Sequence, residues 1–412
     1  MNFTLDSDRL VAEIEELASI SDAEAPAVTR IVFTPTDLKA RAWLIARCEK
    51  VGLSVRQDAI GNMFLRWTGT DPSAPAVGTG SHIDAIPNAG KYDGVVGVLG
   101  ALEAIRSLQA SGFRPKHSID LLLFTSEEPT RFGIGCLGSR LLSGTLSAEA
   151  ARKLADKEGT SLEDVRRNAG YHGSLEGVKL PGGYYKAFVE LHIEQGPLLE
   201  QQRIPLGIVT SIAAPASLRV FIEGAGGHAG AVLMPERRDA LCAAAQLILA
   251  IEAAARMSGA LDTVATVGIC EVFPGAINSI PSRVQLSVDV RDTSLVRRDA
   301  VMHSIEVARE AIATKRQVVI REEVLNMDAP CQCAPAIVEA LAQSCTKHQL
   351  AFVHMVSRAY HDSLFMSRVA PVAMLFIPCR HGYSHRPDEF ASPEDIARGV
   401  LVLAETLATL GA

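Results

Sequence analysis

The sequence predicts an α/β fold: a mixed sheet with helices on both faces, interrupted by an inserted βαββαβ unit of ferredoxin-like type. Three observations predict it. Strand and helix patterns alternate from the start to about Thr210. The run "IDLLLF" is apolar but for its one aspartate, the pattern of a strand buried on both faces. After Ser217 the order of elements changes. A chain of 412 residues also exceeds what one hydrophobic core usually supports, so two domains are expected.

Taken in order, "MNFTLDSDRLVAEIEELASI" reads as an amphipathic helix carrying acids, without the basic start and apolar run of a secretory signal. No segment reads as long and apolar enough to span a bilayer, and the expected location is the cytoplasm. Residues 76–80 form a short strand entering "GSHIDAIPNAGKYDGVVGV", and 95–110 a helix that stops at Gly112. The buried strand 119–124 is followed at once by the polar "TSEEPTRFG". The insert then runs strand 218–223, helix 236–256, strand 263–272, strand 284–289, helix 295–315, strand 317–324, giving four strands with two helices on one face. After Asn326 the alternation resumes with "PVAMLFIPC", another buried strand, and closes on a helix over 393–410. The first domain is therefore discontinuous, residues 1–210 and 327–412, around an insert at 211–326.

Hydrophobic residues make up 48% and charged ones 21%, the balance of a globular protein, which excludes a disordered chain. The net charge of −7, with no basic run and no interleaved aromatics, argues against nucleic acid or an anionic membrane as partner; a small molecule is expected instead. The eight cysteines are scattered, most of them in apolar stretches that suit free thiols rather than disulfides. Cys331 and Cys333 lack a second pair at zinc-ribbon spacing.

Chemistry-bearing residues concentrate at predicted strand ends and in Gly/Pro loops: His82, Asp93, Glu127, Glu128, His192 and His385, in "GSHID", "KYDG", "TSEEPT", "ELHIEQG" and "YSHRPDE". Ligands bind at the C-terminal strand ends of open α/β sheets. Imidazoles and carboxylates without thiolates suit Zn²⁺, Mn²⁺ or similar ions. Two histidines and a carboxylate per ion, with one carboxylate shared, make a dinuclear site. Of two adjacent glutamates, one can hold metal while the other takes a proton. Asp84 can accept the spare ring N–H of His82 and set its tautomer. Each residue also has a plainer reading: a loop histidine at the surface or in the core, and paired glutamates at a solvated helix start.

These residues, with "FTSEEPTRFGIGCLGSR", "GGHAGAVLMPERRDA", "PGAINSIPS", "VDVRD" and "SRAYHDSLFM", resemble the ureido-amidohydrolase branch of the dinuclear metallopeptidase and aminoacylase superfamily. The branch comprises allantoate amidohydrolases, N-carbamoyl-L-amino acid hydrolases and ureidoglycolate amidohydrolases, and the resemblance runs from about Gly52 to the last helix. It implies a metal-binding catalytic domain with an inserted lid and dimerisation domain. It implies two divalent ions per subunit, Mn²⁺ favoured and Zn²⁺ the alternative. His82, Asp93 and His192 would hold one ion, Asp93, Glu128 and His385 the other, with Glu127 the general base. Gln195, His228, Asn278, Arg291, Tyr360 and His361 fall on substrate-contacting positions, and His228 would act across a homodimer.

Within the branch, "GSHIDAIP", "IAAPASL", "AGAVLMP" and "SRAYHDSLF" are most like the plant ureidoglycolate-acting members. The expected reaction is therefore hydrolysis of the ureido C–N bond of (S)-ureidoglycolate to glyoxylate, ammonia and carbon dioxide, a step of purine catabolism. Allantoate or an N-carbamoyl-L-amino acid is the alternative substrate, and an exopeptidase, an aminoacylase or a non-catalytic binding protein with a structural metal are further ones. Arg291 matches a substrate carboxylate with its two-pronged donors, or else pairs with Asp289 or Asp292. His228 is otherwise a turn residue, Tyr360 a packing residue and His361 one lying behind a ligand. A nucleophilic role for Cys136 finds no histidine near it in sequence.

Overall fold

The computed structural model describes residues 4–412, which group into two compact units. One comprises the chain up to Thr210 with Gln332–Ser357 and His361–Ala412; the other comprises Ser211–Cys331 with Arg358–Tyr360. The insert thus runs past the expected Asn326, because the strand Val319–Met327 stays paired with Ala214–Glu223 as far as Met327. The expected N-terminal helix is Ser7–Ala18, whose start is capped by the Asp6 side chain accepting from the Arg9 amide at 2.9 Å. Residues 1–3 of that reading lie outside the described residues.

At the centre of the first unit lie four parallel strands in the order Val372–Ile377, Tyr185–Ile193, Ala76–Ser81 and Ile119–Leu123. Antiparallel neighbours flank them: Leu206–Ile212 on one side, Met63–Trp67 and then Ser54–Gln57 on the other. The sheet is therefore mixed. Largely apolar runs account for two of the central strands, Ile119–Leu123 and Val372–Ile377, which are buried at every position.

Successive strand residues point to opposite faces, and the strand Tyr185–Ile193 shows helices on both. Leu191 packs against Val95–Ala110 and Pro393–Gly411 at Gly100 and Gly399, where an added Cβ would come within 3.0 and 2.9 Å of its methyls. Its neighbour Glu190 instead accepts from the backbone and hydroxyl of Ser363, in the helix Asp362–Met366, at 3.1 and 2.6 Å.

The second unit has the predicted βαββαβ order, with helices Ala240–Met257 and Leu295–Arg316. Its antiparallel sheet runs Val264–Phe273, Arg283–Asp292, Ala214–Glu223, Val319–Met327. Leu218, Val220, Ile222, Val284, Leu286 and Val288 on the sheet meet Ala243, Ala244, Leu247 and Ile251 on the first helix to form its core. One expectation is corrected here: Ala240–Met257 is long and apolar enough to cross a membrane by length and composition. Its alanine-rich sequence makes it so, and the buried face of the helix packs on the sheet. A two-strand pair, Gly227–His228 with Ser279–Ile280, was not read from the sequence.

Candidate metal centre and active site

All four central strands deliver a site residue at or beyond their C-terminal ends. His82 follows Ala76–Ser81, Glu127 and Glu128 follow Ile119–Leu123, His192 lies in the end of Tyr185–Ile193, and His385 follows Val372–Ile377. Asp93 precedes the helix Val95–Ala110. Sharp turns bring the chain back at these ends: Ser126, Gln195 and His385 adopt left-handed φ of 55°, 56° and 60°. The glutamate loop is clamped as well. Its carbonyls at Thr125, Ser126 and Glu127 accept from the amides of Gly138, Leu137 and Cys136 at 2.8, 2.9 and 2.7 Å.

The two carboxylate oxygens of Asp93 face different groups. Oδ1 stands 3.4 Å from His82 Nε2 and 3.2 Å from His192 Nε2, while Oδ2 stands 3.5 Å from His385 Nε2. His385 Nε2 is in turn 3.2 Å from Glu128 Oε1. Two donors each about 2.1 Å from one tetrahedral ion stand about 3.4 Å apart, so both sets have the spacing of ligands around a shared cation. Ring orientation agrees. His82 Nδ1 donates to the Asp84 carbonyl at 3.0 Å and His192 Nδ1 to the Ile193 carbonyl at 2.9 Å, so each ring turns its Nε2 toward Asp93.

The charge balance points the same way. Burial pushes the Glu127 carboxyl well above the usual range, and Glu128, Asp362 and Asp84 add to the shift against the opposing effect of His82. Burial raises Asp84 to about 6, and Glu389 to about 7 with help from Asp93. Burial works against the charge on Asp93 too, but His192 and His82 hold its carboxyl well below the usual range. A hydrogen bond to Glu128 lifts His385 to about 9. Carboxylates gathered this densely away from water need cations among them. The donor set therefore fits a pair of divalent metal ions, and Glu127, 3.8 Å from His82 Nε2 through Oε2, stands beside both groups without belonging to either.

The remaining expected residues fall in two places. Gln195 donates through Nε2 to Asp93 Oδ2 at 2.6 Å, and its buried Oε1 has no hydrogen-bond partner among the described residues. His361 is buried behind His192, ring centroids 4.6 Å apart and edge to face, with Nε2 2.9 Å from Ser357 Oγ. It is the residue that precedes the helix Asp362–Met366, and its alternative reading as a residue behind a ligand matches this burial. Asp84 acts on His82 through its carbonyl, since its carboxylate is 3.6 Å away and accepts instead from the amides of Glu127 and Glu128 at 3.2 and 3.0 Å.

His228, Asn278, Arg291 and Tyr360 belong to the second unit. Exposed His228 and Asn278 are joined there, the Ala229 amide donating to the Asn278 carbonyl at 2.8 Å. Arg291 grips Asp289 with two prongs, Nε–Oδ1 2.7 Å and Nη2–Oδ2 3.3 Å, while Asp292 pairs with Arg297. The Tyr360 hydroxyl donates to Asp328 Oδ2 at 2.7 Å.

Two contributors escaped the sequence reading. Glu389 accepts from the amides of Tyr92 and Asp93 at 2.8 and 3.1 Å, and Ser384 donates to Glu389 at 3.0 Å and to Asp93. Both lie within the quoted "GYSHRPDEF", but only the fold brings that loop to Asp93. The glycine that opens the helix after Asp93 has a direct role. Gly94 has φ 66°, and an added Cβ would lie 2.4 Å from His82 Nε2. Gly94→Ala is expected to lose the ion of the His82 group and about 1–3 kcal/mol of stability. Metal analysis after dialysis checks it, and wild-type content would refute it.

The family model of peptidase family M20/M25/M40 matches residues 78–409. The chain is 52% identical to a ureidoglycolate hydrolase of Arabidopsis thaliana, over 99% of its own length and 87% of that protein's. It is 38% identical to an N-carbamoyl-L-amino acid amidohydrolase of Geobacillus stearothermophilus, over 98% of both. The crystal structure of AtUAH in complex with glyoxylate is similar to it at 52% identity and a TM-score of 0.90, covering 99% of this chain and 98% of that one.

Proposed function

This chain belongs to peptidase family M20/M25/M40, and from that premise we propose that it hydrolyses the ureido C–N bond of (S)-ureidoglycolate, leading to glyoxylate, ammonia and carbon dioxide. The observation that carries the reading is Asp93, with one oxygen toward His82 and His192, the other toward His385, and a glutamate left over beside them. The ureido substrate is supported by the Arabidopsis relative and by the glyoxylate in the similar crystal structure.

Two divalent ions per subunit, Mn²⁺ in preference to Zn²⁺, would be held by His82, Asp93 and His192 and by Asp93, Glu128 and His385. Once bound, such ions supply Lewis acidity, making water a nucleophile near neutral pH and polarising the carbonyl. Glu127 takes a proton from the attacking water at its carboxylate and later passes it to the departing nitrogen; its free Oε2, 3.8 Å from His82 Nε2, is placed for that work. Gln195, fixed on Asp93, offers its amide to the substrate. Arg291, whose two prongs Asp289 engages in this structure, would take the substrate carboxylate by exchanging that partner.

In a homodimer the partner subunit's His228, with Asn278, donates to the developing oxyanion. Supporting this, His228 sits at the surface of its unit near Leu233 and Met234, which are 71% and 73% exposed, the kind of apolar surface a second copy covers.

The test uses protein stripped of metal and reloaded with Mn²⁺ or Zn²⁺, assayed on ureidoglycolate, allantoate and N-carbamoyl-L-amino acids. Turnover restored by Mn²⁺ and highest on ureidoglycolate is the expected result. Comparable rates on N-carbamoyl-L-amino acids would overturn the substrate assignment.

A further inference from the structure

We propose that Cys136 is a positioning residue for the general base: its thiol donates to Glu127 Oε1 and so turns Oε2 toward the reacting water. The inference rests on the reading of Glu127 as base. Cys136 holds Glu127 at two points, the Sγ standing 3.2 Å from Oε1 and the backbone amide donating to the Glu127 carbonyl at 2.7 Å. The other oxygen, Oε2, is the one that faces His82 Nε2 at 3.8 Å. With one oxygen tethered and the other free, the carboxylate is oriented without being made a metal ligand.

The backbone argues independently that this side chain is used. Cys136 has φ 55°, a left-handed conformation that strains a residue with a Cβ and costs glycine nothing. Glycine stands on either side, in "GIGCLG", yet not at this position. Burial and the neighbouring Glu127 push the Cys136 thiol well above its usual range, so it keeps the proton that the hydrogen bond needs and is no nucleophile. A thiol is a weak donor, which orients the carboxylate while drawing off little of its basicity.

The test compares Cys136→Gly, Cys136→Ala and Cys136→Ser in metal-loaded protein, reading kcat, KM, metal content and melting temperature. Glycine suits the left-handed backbone, so its variant keeps the fold and lacks the donor. Glycine and alanine variants are expected to lose about tenfold in kcat with KM and metal content unchanged, and serine to recover most of it. A thiol that only fills space predicts no recovery of kcat by serine over alanine, because both leave most of the sulfur's volume empty. Wild-type kcat in the glycine or alanine variant, or a serine variant no faster than alanine, would overturn the proposal. Wild-type turnover and its loss in Glu127→Gln test the underlying reading separately.

Discussion

Glu127→Gln is expected to lower kcat by about 10²–10⁴-fold while metal content and KM stay near wild type. The amide is nearly the same size as the carboxylate, but it cannot take a proton from water or return one to the leaving nitrogen. It belongs to neither metal-binding group, so the ions stay. Metal-free protein adds a second readout. Burial holds the folded-state pKa of Glu127 well above 4.5, so the folded chain binds more protons than the unfolded one above that pH, and the carboxyl lowers stability as pH rises toward neutrality. Removing the charge should therefore raise the melting temperature of the metal-free protein near neutral pH. Unchanged turnover would return the chain to the reading of a binding protein with a structural metal.

Asp93→Ala is expected to abolish both ion sites and with them activity, whereas His385→Ala should lose one ion and retain the other. Asp93 is the one residue common to the two groups, and its two oxygens face away into each. Without it, His82 and His192 retain no carboxylate between them, and Glu128 and His385 keep one acid and one imidazole, too few donors for tight binding. Metal analysis of the purified variants separates the outcomes. Equal metal loss in both variants would mean that the ions bind only as a pair, and full retention in Asp93→Ala would remove the shared-carboxylate arrangement.

Much of this was legible before the fold was known. Two of the four central strands announced themselves by largely apolar runs, and the insert by its order of elements. The histidines and acids stood just past strand ends, the place where an α/β sheet binds ligands. Other parts were hidden for a physical reason. Nothing local distinguishes His361, packed against His192 and Phe376, from His385, which lies open to solvent; the difference comes from which rings the fold brings to each. Asp84 was marked as a partner of His82, but which of its oxygens accepts depends on where the Glu127–Glu128 peptide passes. Glu389 lay in plain view, and its partners, Tyr92 and Asp93, are 297 and 296 residues away. Cys136 read as an isolated thiol because its partner is reached only when the loop folds back.

By itself the sequence determined which side chains could do chemistry and at which strand ends they emerge, because strand period, burial and turn chemistry are properties of neighbouring residues. Only the tertiary structure decided that Asp93 divides its oxygens between two groups, that two ring nitrogens donate to carbonyls so that their partners face that aspartate, and that one glutamate of an adjacent pair stays free of the ligand sets. Those outcomes depend on distances of a few ångströms between segments brought together by strand order and helix packing. No local pattern encodes such distances.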